Sequence, residues 1–291
     1  MTPGATGSAR PRPGPAGVVL AAGLGTRLRP LTALRPKALC PVGGVPLVDH
    51  AIARVAPHTG PGPQRVAVNA HHLADQLLGH LDGRVHASLE QPEVRGTAGA
   101  LGALRDWIDG RDVLLTNADA WLPGGLADLV DGWDGERCRL LGVDTGEPAD
   151  FGTMRYVGAC LLPWRDVQAL GTEPAGLYEV LWRRVDREGR LEVVPACGTA
   201  IDCGTPADYL AANLDASGGE SVVGEGAVVE GTLTRSVVWD GAHVGPDEHL
   251  VEAVRAGDRE HPVTVTATDP GRDHAGRDHA GDLGAATWSR S

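Results

Sequence analysis

The chain has 291 residues, of which 42% are hydrophobic and only 4% aromatic, and its formal net charge at neutral pH is −12. This is enough material for one large domain or two small ones with a sizeable core of Leu, Val and Ala. The acidic balance argues against nucleic acid as a partner, because a polyanion could be met only by a local basic cluster. Every apolar run is shorter than the roughly 20 residues that a bilayer span needs, so no membrane partner is expected.

The N-terminal segment, residues 1–16, consists mainly of Pro, Gly, Ala and Arg and has no apolar periodicity, so we expect it to be disordered. Two arginines precede the apolar run Val18–Leu24, as they do in a signal peptide. That run is short and Gly-rich, however, and it is followed by Arg27 and Arg29 instead of a small-residue cleavage site. We therefore expect a cytoplasmic protein.

The five cysteines are odd in number, widely spaced and without a CxxC pair. This spacing indicates neither a disulfide framework nor a zinc site, and it favours buried or half-buried free thiols. The cysteines are Cys40, Cys138, Cys160, Cys197 and Cys203.

From residue 17 to residue 216, short apolar runs alternate with segments in which apolar residues recur at helical spacing. The alternation predicts right-handed crossovers, and hence an α/β fold with a Rossmann-like, doubly wound, mostly parallel sheet. The predicted strands are Val18–Ala22, Val66–Ala70, Val85–Leu89, Val113–Thr116, Leu140–Val143, Tyr156–Leu162 and Leu191–Pro195. The predicted helices are Leu47–Ala56, Leu73–Leu81, Ala98–Ile108, Leu126–Trp133, Tyr178–Val185 and Pro206–Leu214, the last with Thr205 as its N-cap.

Residues 217–265 have a different texture, in which β-branched pairs, glycines and small turns repeat in short steps. This pattern predicts a short, left-handed β-helix-like stub of two or three turns, which would serve packing or homo-oligomer formation, with no catalytic role. The remaining residues, 266–291, contain a near-duplicate Gly-Arg-Asp-His-Ala with His274 and His279. We interpret them as a disordered, solvated tail; a metal site there is the less favoured alternative.

Ligands of α/β sheets bind at the carboxyl ends of the strands, so the loop after the first strand is the first place to look for a site. Gly23 and Gly25 in this loop allow close backbone approach, and exposed amides there can bind phosphate oxygens. A dinucleotide fingerprint would need a third Gly in place of Leu28, and a P-loop would need Gly-Lys-Ser/Thr, so neither motif is present. Arg27 and Lys37 bring positive charge to this loop in an acidic protein, which favours phosphate binding over ordinary surface charge.

A long sequence motif occupies residues 20–37. Leu20–Thr32 reads Leu-Ala-Ala-Gly-Leu-Gly-Thr-Arg-Leu-Arg-Pro-Leu-Thr, and Arg-Pro-Lys follows at 35–37. It closely resembles the signature of the sugar-1-phosphate nucleotidyltransferases, and the resemblance extends over about residues 17–215. It implies that the first loop wraps a nucleoside triphosphate, that Arg27 grips the pyrophosphate end, and that Lys37 contacts the phosphates during attack, so that both are catalytic.

Further segments match this family in the expected order. Glu90 and the Gly-Thr-Ala-Gly-Ala-Leu run of 96–101 are similar to its base-recognition segment, in which glycines would permit close approach to the base and a helix N-terminus would favour negative charge. Asp119 ends an Asn-Ala-Asp element, and Asp202 begins Asp-Cys-Gly-Thr-Pro-Ala-Asp-Tyr. The resemblance makes these two aspartates the ligands of Mg²⁺. The implied nucleotide-binding residues are Leu20, Ala21, Ala22, Gly23, Gly25, Thr26, Glu90, Gly96, Thr97, Ala98 and Gly99.

One segment departs from the family pattern. Many relatives carry Glu-Lys-Pro and then Asn-Ala-Gly-Ile-Tyr between the two metal motifs, whereas this chain has only the short run 150–159 and no Lys after Lys37. We expect a shorter or more open sugar pocket, with sugar-phosphate contacts from Gly152, Arg155 and Gly158.

The residues suit phosphoryl chemistry. A sugar-1-phosphate oxygen attacks the α-phosphorus of a nucleoside triphosphate, so the protein must mainly position the reactants and neutralise negative charge. The resemblance is closest to mannose-1-phosphate guanylyltransferases and to heptose- and muramate-type relatives, which makes GTP with a mannose- or heptose-type phosphate the first hypothesis. Two other hypotheses are a catalytically silent regulatory subunit that binds nucleotide sugar, and acyl transfer by the β-helix stub, for which the turns are too few.

Overall fold

The computed structural model describes residues 14–268. The tails predicted to be disordered, with His274 and His279, lie mostly outside these residues. Where the predictions overlap with the described part, the ordered elements reach further than expected. The first strand begins at Ala16, and the last strand ends at Thr266.

The central sheet contains seven strands in the order β10-β8-β9-β6-β1-β4-β5. All neighbours pair in parallel except β9, which is antiparallel to both β8 and β6. This confirms the predicted α/β fold with its mostly parallel sheet. The strands of the α/β part are β1 (Ala16–Leu20), β2 (Pro41–Val42), β3 (Val45–Pro46), β4 (Val66–Ala70), β5 (His86–Leu89), β6 (Val113–Asn117), β7 (Ala120–Trp121), β8 (Cys138–Ala149), β9 (Gly152–Leu162), β10 (Leu191–Pro195) and β11 (Ile201–Asp202).

Helices cover both faces of the sheet, and because successive residues of each strand point to opposite sides, each face contributes apolar side chains to a separate cluster. Val19 packs with residues of α2 and α3, whereas Val18 packs with residues of α4 and α8. The helices are α1 (Leu31–Leu34), α2 (Leu47–Thr59), α3 (Ala74–Leu81), α4 (Gly96–Ala103), α5 (Arg105–Ile108), α6 (Ala127–Val130), α7 (Trp164–Val167), α8 (Arg183–Arg187) and α9 (Pro206–Ser217), with 3-10 turns at Thr26–Leu28 and Lys37–Leu39 and a π-helical turn at Tyr178–Trp182. No helix within 14–268 has the length and apolarity to cross a membrane.

Two predicted helices are interrupted. The helix predicted over 98–108 divides at Leu104, whose backbone lies at φ −87° and ψ 0° and ends α4. The helix predicted over 178–185 starts as the π-helical turn and becomes α-helical only at Arg183. Thr205 caps α9 as predicted, since its hydroxyl accepts a hydrogen bond from the amide of Asp208 at 3.2 Å.

The C-terminal strands form stacked coils, which agrees with the predicted β-helix-like stub. Val222, Val237 and Val254 lie side by side in parallel strands, and two further sides of the coil are also built from parallel pairs. The strands are β12 (Val222–Val223), β13 (Val228–Val229), β14 (Thr232–Thr234), β15 (Val237–Val238), β16 (His243–Val244), β17 (His249–Val251), β18 (Ala253–Ala256) and β19 (Val263–Thr266), the last antiparallel to β18.

The coils pack directly on the α/β domain. Trp239, 1% exposed, shares one apolar cluster with Tyr209 of α9 and with Leu28 and Leu31 near the first loop. The Trp239 indole N–H donates to the Tyr209 hydroxyl at 3.0 Å, and that hydroxyl donates to the carbonyl of Pro41. The guanidinium of Arg35 lies 4.3 Å from the centre of the Trp239 ring.

Candidate active site

The loop after β1 runs along the carboxyl edge of the parallel strands. Gly25 adopts φ +62°, and a Cβ at this position would come within 2.8 Å of the Thr32 side chain, so glycine is required. The Thr32 hydroxyl holds the turn by donating to the carbonyl of Gly25 at 2.7 Å. Gly23 is exposed, and a Cβ added there would meet no atom within 4 Å, so the loop is open to solvent at this point.

A lysine joins two carboxylates at this edge. Lys37 Nζ lies 2.5 Å from Asp119 Oδ2 and 3.5 Å from Asp202 Oδ1. The Lys37 side chain is 11% exposed, whereas Asp119 and Asp202 are 32% and 64% exposed. The ammonium group is therefore covered, and the carboxylates face outward.

The two carboxylates meet through a short antiparallel ladder between β7 and β11. Asp202 stands opposite Ala120 in this ladder, and the amide of Cys203 donates to the carbonyl of Asp119 at 3.0 Å. The pairing fixes two aspartates that are about 80 positions apart in the sequence.

Arg27 completes the charged group. Its Nη2 lies 3.7 Å from Asp202 Oδ2. Gly204 lies directly beside the guanidinium, since a Cβ at Gly204 would come within 2.7 Å of Arg27 Nη2. The structure thus brings together the four residues Arg27, Lys37, Asp119 and Asp202.

These charges shift one another's pKa values. Burial alone would lower the pKa of Lys37, but the charges of Asp119 and Asp202 outweigh it and raise that pKa well above its ordinary value. Burial would raise the pKa of Asp119, but Lys37 holds it below the usual range of a carboxyl group. Partial removal from water, together with the negative charge of Asp119, raises the pKa of Asp202. At neutral pH the lysine is a cation.

Asp119 and Asp202 can supply some of the ligands that a hard divalent cation needs. Two carboxylates converge on one cationic group, the ammonium of Lys37, and carboxylate oxygen is the ligand type that Mg²⁺ prefers. Within 14–268 no group of three or more His, Cys, Asp or Glu side chains is gathered for a metal. The remaining ligands would therefore come from water and substrate phosphates, as is usual for Mg²⁺.

Glu90 is placed differently from the expectation that it contacts the base. It is 1% exposed, and both carboxylate oxygens are bound within the protein, at 2.8 Å by the amide side chain of Asn69 and at 2.8 Å by the backbone N–H of Arg95. Asn69 in turn accepts from the backbone N–H of Ala21 at 2.6 Å. Glu90 therefore ties the first loop to the start of α4 and presents no free oxygen to a ligand.

The sequence predicts that the glycines of α4 allow close approach of a base. In the structure these glycines lie against the backbone of another segment. A Cβ at Gly96 would come within 2.6 Å of the Ala175 carbonyl, and one at Gly99 within 2.5 Å of the Glu173 carbonyl. Ala98 is 2% exposed, and the Thr97 hydroxyl accepts from the amide of Leu177 at 2.8 Å. The absence of side chains at Gly96 and Gly99 allows α4 to pack closely on the backbone of residues 173–175. Nucleotide contact by 96–99 stays a prediction.

The three residues predicted for the sugar phosphate lie at different distances from the carboxylates. Gly158 is buried beside them, and a Cβ there would lie 3.1 Å from Ala120 Cβ. Arg155 is exposed on β9. Gly152 is the first residue of β9, with φ +67°, and precedes Gly158 by six residues, or about 20 Å of extended strand. Sugar-phosphate contact by Gly152, Arg155 and Gly158 stays a prediction.

Two residues near the site were not predicted. Asn69 is the penultimate residue of the buried strand β4, where an amide among Val and Ala is a signal of a hydrogen-bonding role. Arg54 lies on the buried face of α2 between Ala51 and Val55, a position at which the helical pattern predicts an apolar residue. Its guanidinium donates to the carbonyl of Ala120 at 2.9 Å.

Comparison with known proteins identifies similar chains. The family model for nucleotidyl transferases matches residues 16–159. The N-acetylmuramate alpha-1-phosphate uridylyltransferase of Caulobacter vibrioides is 30% identical over 67% of this chain and 94% of its own. The mannose-1-phosphate guanylyltransferase of Mycobacterium tuberculosis is 28% identical over 81% of this chain and 78% of its own.

Solved structures show the same fold. The inositol-1-phosphate CTP transferase from T. maritima superposes with a TM-score of 0.54 at 18% identity, over 67% of this chain and 91% of its own. HddC from Yersinia pseudotuberculosis superposes with a TM-score of 0.55 at 20% identity, over 69% of this chain and 99% of its own. At these identities the likeness concerns the fold alone.

Proposed function

Because the chain belongs to the nucleotidyl transferase family, and within it to the sugar-1-phosphate nucleotidyltransferases, we propose that it is a Mg²⁺-dependent enzyme that uses GTP and a mannose- or heptose-type sugar 1-phosphate. The reaction would yield a nucleoside-diphosphate sugar and pyrophosphate. A relative that uses GTP matches 81% of this chain, which supports this choice.

UTP with N-acetylmuramate 1-phosphate is the second candidate pair. It is favoured by the 30% identity to a uridylyltransferase of this specificity, of which the chain covers 94%. Glu90, which lies in the segment expected to read the base, has both oxygens bound within the protein, so its side chain does not distinguish the two bases.

The observation that carries the proposal is the meeting of Lys37 with Asp119 and Asp202, at 2.5 and 3.5 Å, with Arg27 alongside. An oxygen of the sugar phosphate forms a bond to the α-phosphorus while the bond from that phosphorus to the pyrophosphate oxygen breaks. This reaction requires no covalent nucleophile from the protein, since the phosphate is itself nucleophilic.

Each charged residue has a separate task in this reaction. Arg27 would hold the departing pyrophosphate through its planar guanidinium, and Lys37 would neutralise the phosphates as a point charge. Asp119 and Asp202 would hold Mg²⁺, which, when bound, neutralises negative charge on the reacting phosphates. A silent protein that only binds a nucleotide sugar is the alternative, but binding alone gives no reason to place two carboxylates against one lysine.

A substrate panel tests the proposal. The purified chain is assayed with the four common nucleoside triphosphates against mannose, heptose, glucose and N-acetylmuramate 1-phosphates, with pyrophosphate release as the readout. We expect turnover with GTP and a mannose- or heptose-type phosphate. Turnover only with UTP and N-acetylmuramate 1-phosphate would establish the second candidate. Nucleotide-sugar binding without turnover of any pair would establish the silent alternative.

The metal assignment is tested by Asp202→Asn. An amide fills the same volume but supplies no anionic oxygen, so we expect a fall in turnover of about 10²–10³-fold and a higher half-saturating Mg²⁺ concentration. Asp202 is the cleaner choice because it is 64% exposed, whereas Asp119 is the direct partner of the buried Lys37. Asp128→Asn, an equal charge change at an exposed site of α6, is the control. Parental rates and metal response in folded Asp202→Asn would remove Asp202 from the metal site.

A further inference from the structure

Among residues 14–268, Arg54 is a buried cation that forms no ion pair with a carboxylate. It is 8% exposed. Taking a guanidinium out of water is costly unless fixed polar groups replace the water. The hydrogen-bond acceptors of the guanidinium therefore indicate the role of Arg54.

All acceptors of Arg54 belong to one short segment. Its Nη1 donates to the carbonyl of Ala120 at 2.9 Å, and its Nη2 donates to the carbonyl of Asn117 at 3.2 Å and to the hydroxyl of Thr116 at 3.1 Å. Asn117 ends β6 and Ala120 begins β7, so a single planar fork holds both ends of the turn that carries Asp119.

The same contacts reach β9. The hydroxyl of Thr116 donates to the carbonyl of Gly158 at 3.2 Å while it accepts from Arg54. Burial lowers the pKa of Arg54 to about 10, and the negative charge of Asp119 opposes this shift, so the group is charged at neutral pH.

We propose that Arg54 is a positioning residue. Its hydrogen bonds hold the turn that carries Asp119 and thereby fix the Asp119 carboxylate for a divalent cation. The inference rests on the proposed function only in taking Asp119 as a metal ligand. In this proposal Arg54 acts on Asp119 through the carbonyls of Asn117 and Ala120.

The direction in which the affinity for a divalent cation changes distinguishes a positioning role of Arg54 from an effect of its charge. Removing a nearby positive charge would by itself tighten the binding of a cation, because like charges repel. Losing the fork would instead free the turn and weaken that binding. We therefore measure Mn²⁺ alone, as a probe, by the electron paramagnetic resonance signal of the free ion, with Arg54→Met, Arg54→Lys and the parent.

A control arginine, Arg139, lies on β8 of the central sheet and pairs with Glu192 at 2.9 Å. Arg139 is 7% exposed and also donates to backbone carbonyls, those of Leu129 and Asp131, at 3.3 and 2.8 Å. Arg139→Met should lower the melting temperature as Arg54→Met does. It should leave Mn²⁺ affinity and turnover within twofold of the parent.

For Arg54→Met we expect at least fivefold weaker Mn²⁺ binding and at least tenfold lower kcat, with the KM for the nucleotide changed by less than threefold. Arg54→Lys keeps the charge and part of the donor set, so it should recover part of the Mn²⁺ affinity, and it serves as the milder variant if Arg54→Met does not fold. Unchanged or tighter Mn²⁺ binding in the folded variants, or an equal loss in Arg139→Met, would overturn the inference. Asp119→Asn is measured alongside: if it binds Mn²⁺ as the parent does, the metal assignment itself is wrong.

Discussion

Gly204 lacks a side chain, and the guanidinium of Arg27 occupies the space beside it. A Cβ there would come within 2.7 Å of Arg27 Nη2 and 3.0 Å of Arg27 Cζ. The backbone of Gly204 is not in the left-handed region, so alanine is conformationally acceptable. The guanidinium is the far end of a flexible side chain and can move away.

We therefore expect Gly204→Ala to separate stability from activity. The free energy of unfolding should change by less than about 1 kcal/mol, because only a flexible side chain must move. The displaced Arg27 should raise the KM for the nucleotide at least fivefold. Steady-state kinetics and urea unfolding measure the two effects.

Gly79→Ala in α3 is the control for this substitution, since a Cβ added at Gly79 would meet no atom within 4 Å. It should raise stability by about 0.5–1 kcal/mol and leave the kinetics unchanged. Parental kinetics in Gly204→Ala would show that Arg27 does not need its present position.

The cysteines can be told apart by their reactivity. Four are buried, as predicted, whereas Cys197 is exposed and departs from the prediction of buried or half-buried thiols. Burial raises the pKa of the thiols of Cys40 and Cys138 to about 12, so they remain protonated at neutral pH.

Ellman's reagent should accordingly titrate one thiol rapidly in the native protein and all five only after unfolding. Cys197→Ser should show no rapid reaction. Rapid loss of a second thiol would mean that one of the four buried cysteines becomes accessible in solution.

At the scale of elements, local sequence signals were most reliable where local chemistry decides the structure. Thr205 and Pro206 specify the start of α9, because a hydroxyl cap and a proline in the first turn need no distant partner. The strand Val66–Ala70 has the predicted bounds, because a buried parallel strand reads as a mainly apolar run even where it contains one amide, Asn69.

The features that could not be predicted from the sequence depend on contacts between residues that are far apart along the chain. Nothing in the residues around Ala120 and Asp202 predicts that they form an antiparallel ladder. The glycines of α4 suggested an approach to a ligand, but only the fold shows that the backbone of residues 173–175 fills that space. Likewise, a Glu in a recognised motif does not reveal that Asn69 and Arg95 already bind both its oxygens.

The contact of the β-helix with the first loops makes Trp239 a structural support of the site. Trp239→Ala should lower the free energy of unfolding by about 3–5 kcal/mol, because the fully buried ring leaves a cavity. It should also raise the KM for the nucleotide, since Arg35, two residues before Lys37, loses the ring on which it stacks. Urea unfolding and kinetics provide the measurements.

Two variants control for this substitution. Trp239→Phe keeps an aromatic face for Arg35 and should recover most of the affinity for the nucleotide. Trp107→Ala removes a half-buried tryptophan that stacks on His86, and should cost less than about 2 kcal/mol without a kinetic effect. A kinetic effect equal in both alanine variants would exclude a specific role for Trp239.

At the scale of the whole molecule, one apolar cluster contains residues of both the α/β domain and the β-helix, among them Val42, Tyr209, Val237 and Val254. Because neither part can lose this cluster alone without exposing it, we expect a single cooperative unfolding transition. Near-ultraviolet and far-ultraviolet circular dichroism should give coincident urea midpoints. A separate early transition, with the sheet still native, would show that the β-helix unfolds independently.

The ladder between β7 and β11 also has a consequence for biosynthesis. Asp119 leaves the ribosome about 80 residues before Asp202, which at roughly 5–20 residues per second is an interval of about 4–16 s. Throughout this interval the nascent chain already carries the glycine loop, Arg27 and Lys37, but only one of the two carboxylates that converge on the lysine. An unfinished chain of this length would therefore lack half of the proposed metal site, so full turnover would have to wait until the last strand of the α/β domain has been made.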